Sequence, residues 1–235
     1  MKKPHLTVRR SAFSLIELIV VISIIAIIAT FTVPAATTIL RGSALTQASQ
    51  TLTDQISLAR QLALSKNRTV EVRFYAYGDP EAPGEDFTTR PSTTAPVSTV
   101  DSKSQFRAIQ LFEVLESGVA VPIDSSKLQR LPVSVVIEPN ITFSSLITTP
   151  LKEPAKTDPS LPRGVGQNYV YASFRFQQDG STNLSPSSTW FVTIRNLTDT
   201  PIGGKMENAK GPINFFTIQI DPVSGAVKGF RPTAA

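Results

Sequence analysis

Residues 12–33 read AFSLIELIVVISIIAIIATFTV, an apolar run that follows a short basic leader. The 21 residues from Phe13 to Val33 would extend about 30 Å as a helix at roughly 1.5 Å per residue, which matches the hydrocarbon core of a bilayer. A secretory signal peptide has a shorter apolar region, of roughly 7 to 15 residues. The stretch therefore predicts a helix that is retained in a membrane.

Polar residues are rare within this run. Ser23, Thr30 and Thr32 can each bond a carbonyl of their own helix, so they are compatible with an apolar environment. Glu17 is different, because a carboxylate within a membrane helix costs about 2.5 to 3.5 kcal/mol unless it has a partner. Two interpretations remain open: Glu17 pairs with a cation of another subunit, or its carboxylate reaches the membrane edge.

The segment RRSAFSLIEL, residues 9–18, resembles the prepilin signature of the type IV pilins and the type II secretion pseudopilins. The resemblance implies that a prepilin peptidase cuts between Ala12 and Phe13 and methylates the new amine of Phe13. It also implies that Glu17 helps subunits to dock into a helical filament. Ala12 departs from the glycine that usually precedes the cut in this family.

The same resemblance implies where the protein acts and with what. The expected partners are the prepilin peptidase, other pilin or pseudopilin subunits that pack through the N-terminal helix, and an inner-membrane assembly platform. The expected location is the bacterial inner membrane, with one membrane pass and the C-terminal domain in the periplasm, before extraction into a pilus or pseudopilus. The implied function is structural rather than enzymatic.

A second helical pattern continues beyond Pro34, where we expect a bend because proline removes a helix hydrogen bond. Apolar residues then recur every three or four positions up to about Lys66, with Asn67 as the predicted stop. They are Leu45, Ala48, Leu52, Ile56, Ala59 and Ala63. The stretch QISLARQLALSKNRTVEVRF, residues 55–74, is similar to GspH/FimT-like minor pseudopilins and to pilin-like proteins encoded in verrucomicrobial gene cassettes.

Alternation of apolar and polar residues predicts strands in the second half of the chain. The predicted strands are 69–77, 105–116, 133–137, 169–177, 189–195, 214–221 and 226–231, of which the first is expected to be half-buried. Together with the helix they predict an α+β fold with mainly antiparallel pairing, and the resemblance implies a pilin-like lollipop.

The predicted organisation has four parts. A leader at 1–12 precedes a transmembrane and assembly helix at 13–34, an amphipathic helix at 35–68 and a β-rich domain at 69–235. Proline-rich and glycine-rich composition predicts long loops at 78–104 and 146–168 within that domain.

Composition excludes most catalytic chemistry. The chain has no cysteine, and its one histidine, His5, lies in the leader, so a processed protein lacks the commonest general base, the commonest partner of a nucleophile and the best zinc ligands. Glu113 and Glu116 are interpreted as solvent-facing strand ends rather than a catalytic pair. The acids of the first loop fit no EF-hand spacing, so no metal or cofactor is predicted. These acids are Asp79, Glu81, Glu85 and Asp86.

Two other functions remain open. The net charge of +5 falls to +1 without the leader, which argues against a DNA-binding minor pilin. Basic residues and neighbouring aromatic rings nevertheless leave a local nucleic-acid patch open; they are Lys152, Lys156, Arg163, Arg175, Tyr169, Tyr171 and Phe174. The third interpretation is a secreted, carbohydrate-binding β-domain that signal peptidase releases with Ala36 as its first residue.

Overall fold

The computed structural model describes residues 14–94, 103–123, 127–147, 151–198 and 214–231, apart from the side chains of 31–39. Ala12 and Phe13 lie outside the described residues. The chain forms two compact units, Met1–Gly42 and Ser43–Ala235. We describe each unit by itself.

One long helix, α1, accounts for all described helical structure and spans Leu15–Lys66. In its first part, the hydroxyl groups of Ser23 and Thr30 donate to the carbonyls of Ile19 and Ala26 at 2.8 and 2.9 Å, as predicted. The helix ends at Lys66, and the next residue, Asn67, has a φ of 51°, a left-handed conformation that asparagine adopts more readily than most residues. The predicted stop at Asn67 is therefore confirmed.

Within the described part of the chain, no helix combines the length and the hydropathy needed to cross a membrane. The membrane span at 13–34 stays a prediction. Pro34 lies within the bounds of α1, and the bend expected there also stays a prediction.

The described strands form one antiparallel sheet in the order β6-β1-β2-β5-β7-β8-β9, with β3 and β4 also paired to β2. The α+β class and the antiparallel pairing are thus confirmed. The strands β3 and β4 were not predicted, because two or three residues are too few to show an alternating pattern. In chain order, β1 to β9 are Val70–Tyr77, Gln105–Val114, Ala120–Pro122, Gln129–Arg130, Val135–Ile137, Val170–Phe176, Trp190–Asn196, Phe215–Ile220 and Val227–Phe230.

The apolar stripe of α1 covers one face of this sheet. All six predicted positions of the stripe, from Leu45 to Ala63, are at most 1% exposed. They share one core with inward-facing residues of the strands, among them Val72 and Phe74 of β1 and Ile109 of β2. The helix is therefore held to the sheet by burial of apolar surface, which is the dominant favourable term in folding.

The prediction that the first strand is half-buried is wrong. All eight residues of β1 are buried, because a second apolar cluster covers the opposite face of the sheet. Tyr75 and Tyr77 of β1 pack there against Leu161 and Val165, which belong to the second predicted loop. This loop therefore closes a second core instead of lying in solvent.

We expect Ile56→Ala to lower the free energy of unfolding of the Ser43–Ala235 unit by about 2 to 5 kcal/mol, because it removes a fully buried side chain and leaves a cavity. Leu64→Ala is the matched control on the same helix, since Leu64 is 45% exposed. Urea denaturation of both variants measures the difference. Equal losses would contradict the placement of the stripe.

Candidate functional site

The predicted assembly residue, Glu17, lies in the first turn of α1 and is exposed. Around it, apolar side chains are exposed on every side of the helix, with Leu15 76% and Ile16 70% exposed. The same holds for the next turns, at Leu18, Ile19, Val20, Val21, Ile22, Ile24, Ile25, Ile27 and Ile28. A helix that is apolar on all sides is stable only where an apolar environment surrounds it.

The other predicted site residues stay predictions. Ala12 and Phe13 lie outside the described residues, so the structure does not test whether an amine at Phe13 reaches Glu17. Glu17 is thus the one member of the predicted set whose side chain the structure describes, and its carboxylate forms no hydrogen bond or ion pair with the described residues.

In the folded unit, the acids of the first loop are engaged by arginines. Asp79 Oδ2 accepts from Arg130 Nη2 at 2.6 Å, and Glu85 forms an ion pair with the buried Arg107. Glu81 pairs in the same way with Arg163. These pairs neutralise three of the four carboxylates of the first loop.

Asp86 has a different role. Its Oδ1 accepts from the hydroxyl and the amide of Thr88 at 2.6 and 2.9 Å, which lowers the pKa of Asp86 to about 2. No group of three or more potential metal ligands occurs among the described residues. The four acids therefore tie the loop to itself and to the sheet.

The candidate nucleic-acid patch is also engaged. Arg175 Nε donates to Glu71 Oε2 at 2.8 Å, and Lys152 Nζ donates to Ser173 Oγ at 2.8 Å. Arg163 is paired with Glu81. The aromatic rings named with this patch are at most 7% exposed and are packed within the two cores, which leaves no ring available for base stacking.

Glu113, at the end of β2, is part of an ion-pair group at the end of α1. Its carboxylate accepts from Lys66 Nζ at 3.1 Å and lies 3.3 Å from Arg68 Nε. The side chain is 18% exposed, so it is less open than a solvent-facing strand end would be. Glu113 thus links the end of the helix to the sheet.

Sequence reasoning missed these pairs because most of the partners are far apart in the chain. Asp79 and Arg130 are 51 positions apart, and Arg195 and Glu138, which pair in the sheet at 2.6 Å, are 57 apart. The available signal was the number of charged residues inside predicted strands, since buried charges occur with partners.

We expect the stability that Asp79 contributes to depend on pH. Burial acts to raise its pKa, but hydrogen bonds from the Glu81 amide and from Arg130 outweigh burial and hold the pKa below its usual 3.8. A lowered folded pKa gives stability above the unfolded pKa that is lost as pH falls through the folded value. Asp79→Asn should therefore destabilise the protein at pH 6 and much less at pH 2.5.

Urea denaturation at the two pH values measures this effect. Asp54→Asn, at an exposed carboxylate of α1, is the control and should change stability little at either pH. An Asp79→Asn penalty that is the same at both pH values would contradict the role of the charged pair.

Comparison with known proteins bears first on the N-terminal segment. Residues 8–33 match the model of the prokaryotic N-terminal methylation motif. A search of curated proteins finds no significant match to the chain. The motif covers Ala12, Phe13 and Glu17, the three residues that the sequence singled out.

Three solved structures show a weak similarity. The minor pseudopilin EpsH from the Type 2 Secretion System of Vibrio cholerae is 10% identical with a TM-score of 0.40, over 81% of this chain and 98% of that chain. The type IV minor pilin FimU of Pseudomonas aeruginosa is 13% identical with a TM-score of 0.38, over 81% of this chain and 93% of that chain. A second structure of EpsH from Vibrio cholerae is 8% identical with a TM-score of 0.39, over 83% of this chain and 98% of that chain. Because all three TM-scores are low, these similarities assign neither a family nor a function to the chain.

The chain therefore carries a prokaryotic N-terminal methylation motif over residues 8–33, the segment in which the sequence predicted a processing site and an assembly residue.

Proposed function

We propose that this chain is a minor pseudopilin of the GspH/FimT kind. A prepilin peptidase cuts it between Ala12 and Phe13 and methylates Phe13, and residues 13–33 then pack into a type IV pilus or a type II secretion pseudopilus. The observation that carries the proposal is the exposed apolar surface of α1 from Leu15 to Ile28, which lies inside the methylation motif. Such a surface requires other apolar groups around it.

During assembly, neighbouring helices replace the lipid that surrounds this surface. Within a bilayer the helices gain little from the hydrophobic effect, so association depends on van der Waals packing and on polar contacts between helices. Ser23 and Thr30 already bond their own helix, so between Leu15 and Thr30 Glu17 is the polar group that a neighbour can satisfy.

Glu17 thereby determines the register of assembly. A carboxylate is costly in an apolar interior, and the new amine of a neighbouring Phe13 is the cation that processing supplies. Only one axial position of the neighbour brings that amine to Glu17. The pair therefore selects this position over others in which the apolar surfaces would pack equally well.

Membrane orientation follows from the leader. Lys2, Lys3, Arg9 and Arg10 precede the apolar run, and a basic flank stays on the cytoplasmic side. The proposed arrangement is a single pass through the inner membrane, with the Ser43–Ala235 unit in the periplasm and the assembly platform at the membrane.

The two alternatives have less support. A DNA-binding role would need free basic residues, but Arg163 and Arg175 are ion-paired. Release by signal peptidase before Ala36 would cut within α1, which is continuous from Leu15 to Lys66. Release by signal peptidase would also leave the methylation motif without a role.

Mass spectrometry of the N-terminus of the protein, purified from membranes of the cells that naturally make it, tests the processing step. We expect the chain to start at Phe13 with a methylated amine, because the cut creates the cation that Glu17 requires. A chain that starts at Ala36, or one that keeps its leader in assembled filaments, would overturn the proposal.

We expect Glu17→Ala and Glu17→Gln to leave the protein in the membrane and to reduce its amount in filaments by more than tenfold, since the loss of one member of a buried ion pair costs about 3 to 5 kcal/mol. Quantitative immunoblotting of membrane and sheared-filament fractions measures the ratio. Asp54→Asn removes an exposed carboxylate from the same helix and should leave incorporation unchanged. Normal incorporation of Glu17→Gln would count against the pair.

A further inference from the structure

The folded unit carries an unusual number of asparagines in the pattern Asn-X-Ser/Thr. The chain has seven asparagines, and four of them have a serine or threonine two positions later, at Asn67, Asn140, Asn183 and Asn196. Serine and threonine are about a fifth of the chain, so about one or two such cases are expected by chance. The pattern is the acceptor sequence for N-linked glycans, in which a transferase requires both the asparagine nitrogen and the following hydroxyl.

Three of the four positions are unsuitable as acceptors in the folded domain. Asn196 is 1% exposed and belongs to β7. After Asn67, the partly buried Thr69 hydroxyl donates to Gln177 Oε1 at 3.3 Å. Each of these positions lacks an accessible hydroxyl or an accessible amide.

Asn183 is also engaged. Its Oδ1 accepts from the Arg175 amide at 2.7 Å, which holds the side chain along β6. The hydroxyl of Ser185, two positions later, lies 2.8 Å from that of Ser187, so it is already in a hydrogen bond.

Asn140 is half-buried, but the hydroxyl two positions later is exposed and forms no hydrogen bond among the described residues. It begins an exposed turn after β5, and Ile141 and Thr142 are both exposed, Ile141 by 64%. Asn140 Oδ1 accepts from the Thr142 amide at 2.9 Å, which fixes the side chain at the head of the turn. Within the described part of the chain, neither Asn140 Nδ2 nor the Thr142 hydroxyl forms a hydrogen bond.

We propose that Asn140 is a site of N-linked glycosylation. The co-substrate is a sugar linked through its anomeric carbon to a polyprenyl pyrophosphate. A bond forms between Asn140 Nδ2 and the anomeric carbon, the bond from that carbon to the pyrophosphate oxygen breaks, and polyprenyl pyrophosphate leaves. Nδ2 gives one proton to a base of the transferase, and nothing is oxidised or reduced.

The inference rests on the proposed function in one respect. Lipid-linked sugars are donated on the outer side of the membrane, which is where the membrane orientation proposed above places the Ser43–Ala235 unit. The glycan would extend from an exposed turn, so it would leave both cores undisturbed.

Peptide mass spectrometry of the full-length protein, purified from membranes of the cells that naturally make it, is the test. We expect the peptide that contains Asn140 to carry a glycan, and Asn140→Asp to lose it. The aspartate keeps the oxygen that accepts from the Thr142 amide, so this variant should fold as the wild type does and lack only the nucleophilic nitrogen.

Two variants of Thr142 test whether its hydroxyl is required. Thr142→Ser should keep the glycan and Thr142→Val should lose it, while Asn183→Gln should leave the Asn140 glycan unchanged. An unmodified Asn140 peptide from the wild-type protein would overturn the proposal, as would a glycan that survives in Thr142→Val.

The same spectra separate this inference from the proposed function. A methylated Phe13 together with a bare Asn140 would refute glycosylation alone. A glycosylated Asn140 in a chain that starts at Ala36 would refute the pseudopilin assignment and leave the glycosylation site standing.

Discussion

The packing of the α1 stripe against β1 and β2 is the contact on which the folded unit depends. The sheet has two faces, and the described part of the chain contains one helix, so only one face is covered by the stripe from Leu45 to Ala63. The opposite face must be covered by connecting segments. Residues such as Leu161 and Val165 supply its apolar cover, while the same segments carry charges that need partners near the core.

Ion pairs therefore accompany the second core. Glu71, 2% exposed, lies between Arg73 and Arg175 at 2.7 and 2.8 Å. The Arg73 guanidinium also lies 4.0 Å from the centre of the Phe112 ring, an arrangement in which the ring face attracts the cation. Buried pairs of this kind add little net stability, but the loss of one partner is costly, so they favour one placement of the loops over others.

This arrangement separates the tasks of the two units. In the folded unit the four acids of the first loop are bound to groups of the chain itself, and Arg163 and Arg175 of the basic patch are ion-paired, although Lys156 is exposed. The N-terminal segment has the opposite property, because its apolar side chains from Leu15 to Ile28 are exposed and need partners. The segment that we propose for assembly is accordingly the one whose apolar side chains its own fold leaves uncovered.

The sequence predicted the helix and the longer strands better than it predicted which residues cover them or pair with their charges. Periodicity is a local property, so the helix stripe, the stop at Asn67 and the last two strands could be predicted from neighbouring residues. Alternation in β1 indicated a strand but not the cover on its second face, because that cover comes from Tyr169 and Leu161, about 90 positions away. Arginine partners could not be assigned for the same reason, and the short strands β3 and β4 depend on β2 for their formation.

The central claim is that the exposed apolar part of α1 is the assembly surface. A photoreactive amino acid at Ile22, compared with one at the exposed turn residue Val223, tests it most directly in cells that form filaments. The account predicts cross-links from position 22 to other pilin-like subunits, and their loss when Glu17 is replaced by glutamine. Cross-links to such subunits from position 223 alone, with none from position 22, would contradict it.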